Sequence, residues 1–331
     1  MTTKFHNEDL SKFSFLITGG SGFIGSNIVD YLINNNAGLV RVLDNLLTSS
    51  KTNIEKYIGL PNFEFIEGDI RDIETCHRAC KGIDFVSHQA ALGSVPRSVK
   101  DPIATHSINA TGFLNVLVAA RDAGVKQFVY ASSSSVYGDH PTLPKIEAET
   151  GNPLSPYAVS KKTNELYGNV FAKTYQMKII GLRYFNVFGP NQSPAGAYAA
   201  VIPLFMQAVL DNIPPMIDGD GEQTRDFTYV ENAVQANIIA MLTKNEAALD
   251  QVYNVAVGER ISINQLFAMI AKLTDSTLKP LHRETRPGDI RNSLADISKA
   301  VQLLKYDPTV KAEEGLKRTF EWFKNSAVNL K

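Results

Sequence analysis

The run Thr18-Gly19-Gly20-Ser21-Gly22-Phe23-Ile24-Gly25 constrains the fold more than any other stretch of this chain. It follows an apolar segment, Phe13 to Ile17, and opens a helical pattern, Phe23 to Leu32. The glycines read as GxGxxG from Gly20 or as GxxGxxG from Gly19. Either reading places a tight turn, a close backbone approach and a helix-packing contact where a pyrophosphate rests on a helix N-terminus. A second strand, Leu39 to Leu43, ends in Asp44, close to the spacing of an acid on an adenosine ribose. A carboxylate there accepts from both ribose hydroxyls and repels a 2′-phosphate, which favours NAD over NADP.

The rhythm continues down the chain. Phe63 to Ile66 is a third strand ending at Gly68-Asp69-Ile70, and Asp72 to Cys80 is helical. Asp84 to His88 is a fourth strand, followed by the small-residue turn Gln89-Ala90-Ala91-Leu92-Gly93-Ser94. Asp101 to Ala123 reads as one long helix, Gln127 to Ala131 as the fifth strand and Lys178 to Leu182 as the sixth. Strands spaced by helices in this way predict an α/β chain, a Rossmann-type doubly wound parallel sheet. Ligands of such sheets bind at the carboxyl ends of the strands, and Asp44, Asp69, Ala90, Ser133 and Asn186 all fall there. After about residue 188, a series of prolines and glycines from Pro190 to Gly221 breaks the chain into short pieces. The expected division is an NAD-binding domain over 1–188 and a smaller, mixed α/β substrate-binding domain over 189–331, with elements that interleave. Helices are expected near Val230 to Leu242, Ile263 to Leu273 and Ala312 to Phe323.

Composition narrows the function. Hydrophobic residues make up 44% of the 331, and 20% are charged with a net of -1. The chain can bury a full core, but it has no basic block for nucleic acid or an anionic membrane surface. Cys76 and Cys80 lie on one predicted helix with no second pair to complete a zinc site, so they read as reduced structural thiols. No metal cluster is expected, and His88, at the end of a buried strand, reads as a core histidine. The polar N-terminus and the lack of a long apolar run predict a cytoplasmic protein.

The chemistry is expected at Tyr157-Ala158-Val159-Ser160-Lys161, at the start of a helix. Tyr and Lys four residues apart share one helical face. An ammonium beside a phenol favours phenolate, and a drop of about three units from the ordinary tyrosine value is worth roughly 4 kcal/mol. Such a Tyr takes a proton from a sugar hydroxyl while hydride leaves the same carbon.

Together these segments resemble the extended short-chain dehydrogenase/reductase superfamily, and within it the nucleotide-sugar 4-epimerases. The resemblance also rests on Ala131-Ser132-Ser133-Ser134-Ser135-Val136-Tyr137-Gly138, Leu182-Arg183-Tyr184-Phe185-Asn186-Val187-Phe188-Gly189-Pro190, Gly219-Asp220-Gly221 with Arg225-Asp226-Phe227, and Arg286-Pro287-Gly288-Asp289. It implies Tyr157, Lys161 and Ser133 as catalytic residues, with Ser133 relaying a proton from the sugar O4. It implies cofactor contacts from Gly19, Gly22, Phe23, Ile24, Gly25, Asp44, Asn45, Asp69, Ile70, Ala90, Ala91, Asn109 and Tyr184, besides Tyr157 and Lys161. Substrate contacts are implied at Gly93, Ser94, Ser133, Ser134, Asn186, Gln192, Ala200 and Val201, and at Arg225, Arg286, Asp289 and Ser293. Ser293 stands where a large aromatic would confine the pocket to plain hexoses, so UDP-N-acetylglucosamine and UDP-N-acetylgalactosamine are the expected pair, for polysaccharide synthesis. The corresponding uronic acids and UDP-glucose/galactose are alternatives. Related dehydratases carry Thr-Asp-Glu where this chain has Ser133-Ser134-Ser135, and serines cannot replace that carboxylate pair. A homodimer is expected through the helices near Asp101 to Ala123 and Tyr157 to Tyr175.

Overall fold

The computed structural model describes residues 3–194, 199–285 and 291–328. Its centre is a seven-stranded, all-parallel sheet. The strands are β1 (Ser14–Thr18), β2 (Leu39–Asp44), β3 (Phe63–Glu67), β4 (Phe85–His88), β5 (Gln127–Ser133), β6 (Ile179–Tyr184) and β7 (Gln251–Val255). Their spatial order is 3-2-1-4-5-6-7. The chain reverses direction across the sheet between β1 and β4, the switch point at which doubly wound sheets bind ligands.

The helices are α1 (Phe23–Asn34), α2 (Ile73–Cys80), α3 (Val95–Lys100), α4 (Pro102–His106), α5 (Phe113–Asp122) and α6 (Pro156–Tyr175). Then follow α7 (Val201–Leu210), α8 (Val230–Leu242), α9 (Ile263–Thr274), α10 (Ser298–Leu304) and α11 (Ala312–Val328). Side chains alternate across β1, so Phe15 and Ile17 enter the core beneath α1 and α8, whereas Leu16 enters the core beneath α2, α5 and α6. Leu32, Val42, Phe113 and Leu117 in these layers are fully buried. Each such side chain contributes roughly 1.5–3 kcal/mol by leaving water.

The structure refines the sequence reading at three places. The 189–331 segment interleaves with the first: β7 pairs with β6 in parallel register from Gln251↔Ile180 to Val255↔Tyr184, and α8 packs on the same sheet. The helix expected from Asp101 to Ala123 runs from Pro102 to Asp122, with a π-turn within it at Ser107–Gly112. Although the helical run Pro102–Asp122 has the length and hydropathy of a membrane span, Phe113, Val116, Leu117, Ala119 and Ala120 are fully buried, and the run is a core helix. Finally, Val95–Lys100 is helical, started by Ser94, whose Oγ accepts from Arg97 N.

The remaining segments form a cap with its own core around Phe205, Met206, Leu266, Phe267 and Leu316. It is tied together by two-strand ladders: Met216–Asp218 with Leu281–Arg283, and Thr224–Arg225 with Ile261–Ser262. Cys76 and Cys80 are free and buried, and burial pushes both thiols up to about 12.

Candidate active site

A cavity of about 650 Å³ runs along the carboxyl ends of β1, β2, β4, β5 and β6. At one end is the glycine turn. Gly19 has φ +67°, and a side-chain carbon there would meet Ala90 N at 2.7 Å. One on Gly25 would meet Gly20 Cα at 2.8 Å and the Gly19 carbonyl carbon at 2.9 Å. The turn is therefore packed against the β4 end and α1 by backbone alone, and it leaves the N-terminus of α1 bare toward the cavity, as a pyrophosphate requires. Gly19, Gly22, Phe23, Ile24 and Gly25 all line it.

Asp44 holds the ribose end in shape. Its Oδ2 accepts from Ser21 N at 3.0 Å, and its Oδ1 accepts from Leu46 N at 2.9 Å and Ser49 Oγ at 3.0 Å. The acid thus joins the glycine turn to the loop after β2, and still lines the cavity with lone pairs to spare. Asn45 and Ile70 also line it, beside Leu47, Thr48 and Ser49. Asp69 does not: its carboxylate takes Arg71 at 2.7 Å and Asn45 Nδ2 at 2.9 Å, and the Arg71 hydrogen bonds hold it down at about 2. It braces Asn45. This half of the cavity fits an adenine dinucleotide without a 2′-phosphate.

His88 behaves as a core histidine. It is buried between Phe113 and Phe128, its Nδ1 pairs with Thr18 Oγ1 at 2.9 Å, and burial pushes it down to about 3. Asn109, expected on the cofactor, is buried away from the cavity. Its Oδ1 accepts from Leu92 N at 2.7 Å, while its Nδ2 donates to Leu92 O and to Ser160 Oγ. Standing in the π-turn, it fastens the β4 loop to the helix of the reactive tyrosine.

Tyr157 and Lys161 ride on the first turns of α6. Ser155 caps that helix, its Oγ accepting from Ala158 N at 3.1 Å, with Pro156 at the first helical position. Tyr157, Lys161 and Ser133 converge on the cavity wall. Lys161 Nζ is 2.8 Å from Ala131 O and 5.9 Å from the centre of the Tyr157 ring. The expected drop of the Tyr157 phenol does not occur in this structure. Burial raises it above the ordinary tyrosine value, and the hydrogen bond with Ser133 offsets only part of that. The same burial brings Lys161 down to about 8. Desolvation outweighs attraction because the ammonium is turned to a carbonyl rather than to the phenol oxygen.

The other end of the cavity is lined by Gly93, Ser94, Ser134, Asn186, Gln192 and Ala200, with Ala90, Ala91 and Tyr184 between the two halves. Ser94 has φ +100°, a strained backbone for a residue with a side chain, and it turns the chain over the cavity. Tyr184 OH donates to Gln89 Oε1 at 3.0 Å and accepts from Asn237 Nδ2 at 2.7 Å. Gln192 Nε2 donates to Val187 O, which leaves its buried Oε1 as an acceptor with no donor.

Three expected substrate residues stand off the cavity. Val201 starts α7 one residue beyond it. Arg225 Nη1 donates to Thr224 O at 2.8 Å. Ser293 N donates to Thr224 O, and Asn292 beside it forms an isolated bridge with Thr224, which fixes that segment. Arg286 and Asp289 lie outside the described residues. Sequence reasoning missed Ser49, Gln89 and Arg97 as lining residues. Ser49 and Gln89 follow strand ends and could have been found by position; Arg97 depends on the unforeseen α3.

A model of the NAD dependent epimerase/dehydratase family matches residues 15–256. A putative UDP-glucose 4-epimerase of Methanocaldococcus jannaschii is 39% identical over 94% of this chain and 98% of its own. The solved UDP-N-acetylglucosamine 4-epimerase of Methanobrevibacter ruminantium, in complex with UDP-N-acetylmuramic acid, superposes with a TM-score of 0.90 at 40% identity, over 95% of this chain and 99% of that one. The UDP-glucuronic acid 4-epimerase of Bacillus cereus, with UDP-glucuronic acid and NAD, gives 0.88 at 32% identity over 95% and 99%.

Proposed function

The chain belongs to the NAD-dependent epimerase/dehydratase family, and from that premise we propose that it inverts C4 of UDP-N-acetylhexosamines, interconverting UDP-N-acetylglucosamine and UDP-N-acetylgalactosamine through a 4-keto sugar. The observation that carries the choice of sugar is a cavity end built from Gly93, Ser94, Ser134 and Ala200 with the Gln192 amide at its wall. An acetamido group needs both the room these small residues leave and an acceptor for its N–H. A buried acceptor left unpaired costs roughly 1–3 kcal/mol, so a substrate that fills it is favoured over one that does not.

When bound, NAD would supply a reversible hydride acceptor for C4 of the sugar. The chain's own groups do the rest. Ser133 hydrogen-bonds the C4 oxygen and passes its proton to Tyr157. Lys161, with one proton on Ala131 O, would hold the nicotinamide ribose with its others and polarise the Tyr157 oxygen, which favours the phenolate that burial alone disfavours. By the family resemblance, Arg286 and Asp289, which lie outside the described residues, would anchor the nucleotide while the sugar turns its other face.

Arg97, which lines the same cavity, favours the corresponding uronic acids as a second reading. A comparison of kcat/KM for the acetylated, uronic and plain hexose pairs, on wild type and Gln192→Leu, decides between them. Gln192→Leu should lower kcat/KM on the acetylated pair about tenfold, the worth of one buried hydrogen bond, and leave plain hexoses nearly unchanged. A wild type that prefers plain hexoses overturns the assignment.

The product would feed polysaccharide synthesis in the cytoplasm, and the working form would be a homodimer. Ile103 on α4 is 82% exposed, and Val159, Leu166 and Val170 form an exposed apolar stripe on α6. That stripe would pair with its copy in a four-helix bundle.

A further inference from the structure

A buried ion pair stands directly behind the reactive residues. Arg183 of β6 and Glu165 of α6 are both buried, and their contact is bidentate: Nε to Oε1 at 2.8 Å and Nη2 to Oε2 at 2.9 Å. Glu165 Oε1 also accepts from Ser132 Oγ at 2.6 Å. Ser132 and Arg183 face each other across the β5–β6 ladder, so one carboxylate bridges two adjacent strands. The guanidinium is completed by Glu147 O at 3.1 Å and lies 4.8 Å from the Tyr137 ring.

The placement of this bridge matters. Glu165 is one helical turn beyond Lys161, as Lys161 is one turn beyond Tyr157. Lys161 holds Ala131 O and Glu165 holds Ser132 Oγ. Two successive turns of α6 therefore grip two successive residues of β5, and the next residue is Ser133. Sliding α6 along the sheet by a fraction of a turn would break both grips and carry Tyr157 away from Ser133. Neither Glu165 nor Arg183 lines the cavity; Ser132 does, with its Oγ donating to Glu165.

We propose that Glu165 is a positioning residue, which by gripping Ser132 and Arg183 together fixes the height of α6 on β5 and so holds Tyr157 against Ser133. The proposal rests on Tyr157 and Ser133 forming the proton path. Loss of the grip leaves the substrate and dinucleotide contacts intact but misplaces the reacting oxygen, and a misplacement of about 1 Å costs on the order of 10²-fold in rate.

Ser132→Ala removes only the hydroxyl that Glu165 holds and keeps the ion pair. Measured per NAD-loaded site, it should lower kcat about tenfold with an unchanged KM for the UDP-sugar. Glu165→Gln, which puts a donor against the guanidinium, should lower it further. The double variant should be no slower than Glu165→Gln alone, because both act through one contact. A purely structural pair would reduce thermal stability or NAD content, with kcat per loaded site unchanged. Wild-type kcat in Ser132→Ala, or losses that multiply in the double variant, overturns the proposal; should Glu165→Gln fail to fold, Ser132→Ala decides alone. Tyr157→Phe in the same assay keeps the two readings apart. If it retains turnover, the proton path is wrong; if only Ser132→Ala and Glu165→Gln retain turnover, the path stands and the positioning role falls.

Discussion

Replacing Lys161 by methionine should destroy activity and yet stabilise the NAD-depleted protein at neutral pH. The lysine is 2% exposed, and burial moves it from 10.5 to about 8. At about 1.4 kcal/mol per unit, holding the charged form in the folded state costs roughly 3 kcal/mol. Methionine keeps the length of the side chain but loses the hydrogen bond to Ala131 O, about 1 kcal/mol. The net gain is about 2 kcal/mol. The sign of the pH dependence follows from the direction of the shift. Between pH 8 and 10.5 the unfolded chain binds more protons at this position than the folded one, so wild-type stability rises with pH across that window. The advantage of Lys161→Met is therefore full below pH 8, falls to about zero near pH 9.5, and is absent above 10.5. Equilibrium urea denaturation of both proteins, freed of NAD, at pH 7 and pH 9.5 measures it. An equal gap at the two pH values, or a less stable variant at pH 7, refutes the reasoning. It would mean that Lys161 is solvated or paired in the folded protein.

Tyr157→Phe should lower turnover by roughly 10²–10⁴-fold while UDP-sugar binding, followed by calorimetry, persists. The purified chain should release NAD, and no NADP, when denatured; Gly25→Ala, whose new carbon meets the Gly19–Gly20 backbone, should lose most of it. Light scattering at micromolar concentration should give twice the chain mass, and a monomer would refute pairing through α4 and α6.

Elements whose signal is local were legible in the sequence. The glycine turn, Asp44 and the Tyr157 helix are written in spacing and in the conformations that glycine and proline permit, and α8 fell on its expected bounds. What depended on distant partners was not. Gln251–Val255 carries two polar residues in five and no strong strand signal of its own, and only its pairing with β6 makes it the seventh strand. In the π-turn the Asn109 side chain reaches both Leu92 and Ser160, contacts that the helical periodicity of its neighbours conceals. The upward shift of Tyr157 is a matter of burial, and YxxxK spacing carries no information on solvent. Ser293 was assigned to the sugar pocket by its position in a motif, and its backbone N–H is held by Thr224 O, a contact that no local pattern signals.

The return of the chain to the sheet at β7 has a consequence for how the protein is made. Until residue 255 has emerged from the ribosome, β6 has no neighbour on its outer side and the face beneath α8 is uncovered. A nascent chain that ended near residue 188 would carry every glycine of the turn and the whole YxxxK helix, but it would expose an open parallel edge strand, the kind that recruits other chains. The dinucleotide site is thus encoded early and completed late. Synthesis must pass through the first part of the cap before the sheet can close, so translation pauses between residues 188 and 255 are where this chain is most open to aggregation or to capture by chaperones.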